Sequence, residues 1–174
     1  DRLLNAASDA TGLGGGTAGM PFDPAPALRD AADELADDLM RHLRVDVPDR
    51  LPKVRGDRAG VATIITELVT NACKYSTDWV DVELTAGADE RTVWIRVSDR
   101  GLGISREYTE RAFERFWQLE TGDQRRYGGV GLGLYLVRRI VERQNGWVSL
   151  RARDGGGTVA EVRLPRADTG PGEA

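Results

Sequence analysis

The chain has 174 residues, 40% of them hydrophobic, which fits one compact domain with its own core. A formal net charge of −4 provides no global field to draw nucleic acid or an anionic membrane surface, so any anion must be held by a local site. The single cysteine, Cys73, closes no internal disulfide, no Cys/His group has zinc-like spacing, and no apolar run reaches the roughly 18 residues of a membrane span; a cytoplasmic setting is expected, in a parent protein that can still be membrane-anchored.

Residues 1–20 divide into a short apolar start, Asp1 to Ser8, which reads as the last turns of a preceding helix, and the glycine-rich stretch Gly12 to Gly19, a flexible linker. The domain proper is expected over residues 21–166. Apolar residues at Leu28, Ala32, Leu35, Leu39 and Leu43 have the spacing of one helical face. Val45 to Val47 alternates like an edge strand, and Asp57 is placed to cap the N-terminus of a second helix.

That second helix carries a core stripe of Val61, Ile64, Ile65, Leu68 and Ala72. Beside it Glu67, Asn71 and Lys74 follow at intervals of four and three, so they share one flank. Strands at Val80 to Leu84 and Val93 to Val97, joined by a turn at Gly87 to Glu90, form a predicted antiparallel hairpin. Period two puts Asp99 on the face of Val93, Ile95 and Val97, which points its carboxylate toward the core side. Residues 104–128 read as a short helix and a mobile polar loop. Phe113, Phe116 and Trp117 are expected to make a local core beneath it, or alternatively a docking surface. Gly129 to Gly133 then opens a third helix that Gly146 is expected to stop. Two last strands, Trp147 to Ala152 and Thr158 to Leu164, flank the turn Asp154 to Gly157, and residues 167–174 are expected to be a disordered tail.

Three features can do chemistry. A glycine-rich turn leading into a helix leaves backbone N–H groups and the positive end of the helix dipole facing the loop, a phosphate site, although such turns are also built for structure alone. The flank of Glu67, Asn71 and Lys74 offers a carboxylate and an amide for Mg²⁺ or its waters and an ammonium for phosphate oxygens; a solvated helix face reads the same way. Asp99, followed by Gly101 and Gly103, offers a buried carboxylate that needs a donor, as the adenine amino group is, or simply begins a tight turn. The P-loop ending Gly-Lys-Ser/Thr is absent, and no strand precedes Gly129 as the dinucleotide fingerprint requires.

Taken in order, Glu67-Leu-Val-Thr-Asn-Ala-Cys-Lys-Tyr-Ser76 resembles the N box of the gyrase, Hsp90, histidine kinase and MutL ATPase superfamily. Asp99 to Ile104 resembles its first glycine box, Phe113 to Phe116 the F box, and Gly129 to Leu134 the second glycine box. Lys74-Tyr75-Ser76 and the F box are similar to the histidine kinase branch. The resemblance implies an α+β two-layer sandwich, with a mixed sheet of about five strands, three helices on one face and an ATP lid. It implies ATP and Mg²⁺ as cofactors, with Asn71 and Glu67 at the metal, Lys74 and Arg115 at phosphate, and Tyr75 and Asp99 at adenine. Gly101, Gly103 and Ile104 would shape the base pocket, and Gly129, Val130, Gly131, Leu132 and Gly133 would border the phosphates. Arg125 and Arg126 are further lid candidates.

Two positions depart from the histidine kinase pattern. Glu67 stands where many members have Asn, and is what the hydrolysing branches and the anti-sigma serine kinases carry; Val130 stands where many have Thr or Ser. His42, the only histidine, is followed by Leu43 and not by the acidic residue of a phosphoacceptor. The implied acceptor histidine therefore lies on a separate dimerisation domain, with a response regulator downstream and no nucleic-acid partner.

Overall fold

The computed structural model describes residues 19–38, 43–75, 81–118 and 130–168. The predicted helix stump before residue 9, His42, Ser76, Arg125, Arg126, Gly129 and the tail beyond residue 168 lie outside these. Among the described residues three α-helices, α1 (Ala25–Asp38), α2 (Arg58–Lys74) and α3 (Gly133–Arg143), accompany seven strands. These are β1 (Pro21–Phe22), β2 (Leu43–Asp46), β3 (Val54–Arg55), β4 (Val82–Ala88), β5 (Thr92–Ser98), β6 (Trp147–Ala152) and β7 (Thr158–Pro165). Five of them form a mixed sheet in the order β2-β4-β5-β7-β6, in which only the β2–β4 pair is parallel.

The sheet divides its residues by parity. Val82 and Leu84 of β4, Val93, Ile95 and Val97 of β5, and Val162 and Leu164 of β7 are buried in one cluster with the helices. Each strand thus turns one face to the helices, as period two requires. The other face is polar and paired: Arg96 bonds Glu161, Arg163 bonds both Glu161 and Asp89, and Glu83 bonds Arg44 and Arg153. From α2 the buried residues are Val61, Ile64, Ile65, Leu68, Val69 and Ala72, the predicted stripe with Val69 added. Asp57 caps α2, its carboxylate accepting the Gly60 N–H at 2.5 Å.

Three expectations are corrected. Leu43 does not extend the first helix; it begins β2, paired with Val82. An apolar residue that starts a strand falls by coincidence on the helical repeat, and spacing alone cannot separate the two. The span 104–113 holds two single 3₁₀ turns, Arg106–Tyr108 and Arg111–Phe113, instead of one α-helix. At the end of α3 the left-handed residue is Asn145, with φ 56°, and not Gly146. The Asn145 N–H bonds Glu142 O and the Gly146 N–H bonds Val141 O, a Schellman ending, while Gly146 is needed because a β-carbon there would overlap Arg163 O. A small antiparallel pair, β1 with β3, was not foreseen.

Candidate functional site: a cleft between two helices

Between α2, α3 and the end of β5 lies a cleft of about 410 Å³. Glu67, Asn71, Lys74 and Tyr75 of the α2 flank line it, as do Asp99, Gly103 and Ile104 after β5 and Val130, Gly131, Leu132 and Gly133 before α3. Three segments far apart in sequence therefore meet at one cavity.

Asp99 is only 7% exposed. Its Oδ1 accepts the Gly101 N–H at 2.8 Å and the Thr158 N–H at 3.2 Å, whereas Oδ2 takes no hydrogen bond from the described residues. Burial pushes the Asp99 carboxyl above its ordinary pKa, opposed by those two N–H groups and by the charge of Arg153. Gly101 does not line the cleft. Its place is behind Asp99, where a β-carbon would overlap the carbonyl oxygen of Tyr75, and the next N–H, of Leu102, bonds that same oxygen at 3.1 Å. The glycine loop is thus tied to the end of α2.

On the other wall, Gly131 has φ 71° and its carbonyl accepts the Phe116 N–H at 2.9 Å. The first turn of α3 has no side-chain cap, so its leading N–H groups remain donors toward the loop. Among the described residues, Glu67 and Asn71 make no side-chain hydrogen bond, and Lys74 has no ion pair, lying instead 5.1 Å from the Tyr75 ring centroid. Burial raises the pKa of Glu67 and of Tyr75 and lowers that of Lys74. An acid and an amide without hydrogen-bond partners among the described residues, and an ammonium held only by a ring, fit a hydrated divalent cation and a polyphosphate. No group of three or more His, Cys, Asp or Glu gathers as a metal site among the described residues; Asn71 and Glu67 would share an ion with phosphate oxygens and water.

Arg115 is set apart from these. It is exposed, and its guanidinium lies over the rings of Phe116 and Tyr135, at 5.6 and 5.3 Å, not on the cleft wall. The predicted aromatic cluster also divides: Phe113 is buried and Trp117 packs on the core, but Phe116 is 59% exposed with φ 64°. Sequence reasoning missed Thr158 and Arg153 beside Asp99. The β5–β7 register, which pairs Ser98 with Val159, is the signal that brings them there, and it is not written in either strand alone.

A two-layer domain with a largely apolar cleft between two helices, edged by Glu67, Asn71, Lys74 and Asp99, defines the class. The family described as histidine kinase-, DNA gyrase B- and HSP90-like ATPase matches residues 56–168, and the chain belongs to it. The relatives it matches are sensor histidine kinases. Over 130 residues it is 34% identical to the sensor-like histidine kinase SenX3 of Mycolicibacterium smegmatis, covering 75% of this chain and 34% of that protein. It is 32% identical to the histidine protein kinase SaeS of Staphylococcus aureus over 130 residues, 74% of this chain and 37% of that one. The chain therefore spans about a third of the length of these curated relatives. Among solved structures, the ATP-binding domain of PrrB from Mycobacterium tuberculosis is 26% identical with a TM-score of 0.66, covering 86% of this chain and 98% of that one. Full-length ShkA, solved in complex with AMPPNP, is 28% identical with a TM-score of 0.71, covering 86% of this chain and 31% of that one. No helix among the described residues is long and apolar enough to cross a membrane.

Proposed function

We propose that this chain binds Mg-ATP in the α2–α3 cleft and donates the γ-phosphoryl group to a histidine on a separate dimerisation domain, from which a response regulator aspartate receives it. The observation that carries this reading is the convergence of Glu67, Asn71, Lys74 and Asp99 on one cleft, with polar atoms that no described residue satisfies. Asp99 Oδ2 would accept from the exocyclic amine of adenine, with Tyr75 against the base. Lys74 and the N–H groups of the first turn of α3, which no side chain caps, would hold the phosphates, and Asn71 with Glu67 would hold the metal. Bound Mg²⁺ would neutralise phosphate charge; the protein's share is to position and to exclude water, which phosphoryl transfer chiefly demands. Phe116, exposed at the lid base, would face the histidine-bearing domain.

Glu67 favours a second reading. A carboxylate with no hydrogen-bond partner among the described residues and a pKa raised by burial is suited to take a proton from a hydroxyl or a water, as in an anti-sigma-type serine kinase or a hydrolysing switch protein. Calorimetric titration of ATP with Mg²⁺ into the chain and its Asp99→Asn and Asn71→Asp variants tests the site. Micromolar binding that Asp99→Asn abolishes supports it, and a folded chain that binds no ATP refutes it. Mixing the loaded chain with a histidine-bearing domain then separates the two readings, because phosphohistidine is acid-labile and phosphoserine is not.

A further inference from the structure

Arg153 stands at the end of β6, as the hairpin turns toward β7, with its side chain only 14% exposed. Its guanidinium works in two directions. Nη2 donates to Glu83 Oε2 at 2.9 Å and Nη1 donates to the main-chain oxygen of Asp99 at 3.2 Å. Glu83 is itself fixed, because its other oxygen accepts Arg44 Nη2 of the edge strand at 2.7 Å. The same hairpin holds Asp99 at two further atoms: the Asp99 N–H bonds Thr158 O at 2.9 Å, and the Thr158 N–H bonds Asp99 Oδ1. Gly157 permits this approach, since a β-carbon on it would overlap the Asp99 carbonyl. Among the described residues, every hydrogen bond to Asp99 thus comes from Gly101 or from the β6–β7 hairpin, and none uses Oδ2 of this cleft-lining residue.

We propose that Arg153, braced by Glu83, is a positioning residue for base recognition: it holds the Asp99 main chain so that Oδ2 meets the exocyclic amine of the nucleotide base. This rests on the reading of Asp99 as the adenine acceptor. A charge-assisted donor on a carbonyl is roughly twice as strong as a neutral one, and the planar guanidinium aims separate nitrogens at two partners in a fixed geometry, which the rotatable ammonium of a lysine does not. Release of the Asp99 peptide would turn the carboxylate away from the base while leaving Asn71 and Lys74, on α2, in place for the phosphates. The loss should therefore fall on base selectivity and spare the affinity that the phosphates supply.

Inosine triphosphate, with a carbonyl oxygen where ATP has the amine, separates these terms. Both nucleotides are titrated with Mg²⁺ into the full chain. The wild type should prefer ATP. Arg153→Met should cut that preference about tenfold with inosine triphosphate affinity held within about twofold, the size of effect of one hydrogen bond. Arg153→Lys should recover part of it, and Glu83→Gln, which keeps the guanidinium but removes the charge and one acceptor oxygen of its brace, should cut it about threefold. Equal weakening of both nucleotides, or an unchanged preference, overturns the positioning role and leaves Arg153 a hairpin staple. Should Arg153→Met not fold, Arg153→Lys and Glu83→Gln decide by the same ratio. A wild type that binds both nucleotides equally overturns the assignment of Asp99 itself, an outcome distinct from the failure of Arg153.

Discussion

The Glu67 carboxylate lies against Gly133, the first residue of α3, so closely that a β-carbon on the glycine would overlap Oε2. The glycine is there for room, since it has no left-handed backbone to explain it. In an ordinary helix Gly→Ala gains up to about 1 kcal/mol. Gly133→Ala should keep the fold, because the obstacle is the movable end of a side chain, but it should swing Glu67 away from the cleft. Mg-ATP affinity should then fall about tenfold, the usual cost of disturbing a group that supports a metal. Parallel calorimetry and thermal unfolding check this, and unchanged affinity would remove Glu67 from the metal site.

Asp89 organises the β4–β5 turn. Oδ1 accepts from the Arg91 and Thr92 N–H groups, at 3.0 and 2.7 Å, and Oδ2 from Arg163 at 2.6 Å. The Arg91 and Thr92 N–H groups, and then the Thr92 hydroxyl and Arg163, hold its pKa down at about 2, against an ordinary 3.8. A carboxylate whose folded pKa is depressed adds stability above its unfolded value and loses it as the pH falls through the folded one. Urea midpoints of the wild type should therefore drop between about pH 4 and pH 2 more steeply than those of Asp89→Asn. Parallel curves would show that the turn does not depend on the charge.

How much of this was legible follows from what kind of signal each feature leaves. The stripe of α2, its Asp57 cap and the inward face of Asp99 are local periodicities, and they sit where spacing put them. The cleft residues were found through motif resemblance, which preserves order along the chain. The roles of Arg153 and Thr158 depend on which strands become neighbours, and the β5–β7 pairing joins residues about sixty positions apart. Phe113 and Phe116 part for another reason: the sequence left local core and docking surface open for both, and a box of four residues says nothing of the left-handed φ at Phe116, which is exposed while Phe113 is buried.

At the end of α3, Asn145 accepts a left-handed φ of 56° that most residues pay for. Side chains with a β-carbon lose roughly 1–2 kcal/mol there, Asn less than others. Asn145→Gly should be neutral or stabilising by up to about 1 kcal/mol, and Asn145→Val should destabilise by about 1–2 kcal/mol. Urea unfolding of the three proteins at pH 7 is sufficient, and a Val variant as stable as the wild type would mean the Schellman ending contributes nothing.

The two phenylalanines of the F box should behave as different kinds of residue. Phe113 is 2% exposed and its ring carries the Arg138 guanidinium at 4.5 Å. Phe113→Ala should cost about 3–5 kcal/mol, the range for an aromatic removed from a packed core. Phe116 is exposed and left-handed, so Phe116→Gly relieves backbone strain and removes little buried area; it should leave the isolated chain as stable or about 1 kcal/mol more stable. If Phe116 serves the histidine-bearing domain, the same substitution should slow phosphoryl transfer to that domain at saturating ATP without altering ATP affinity. Equal destabilisation by the two substitutions would instead mean that both rings belong to the core under the lid.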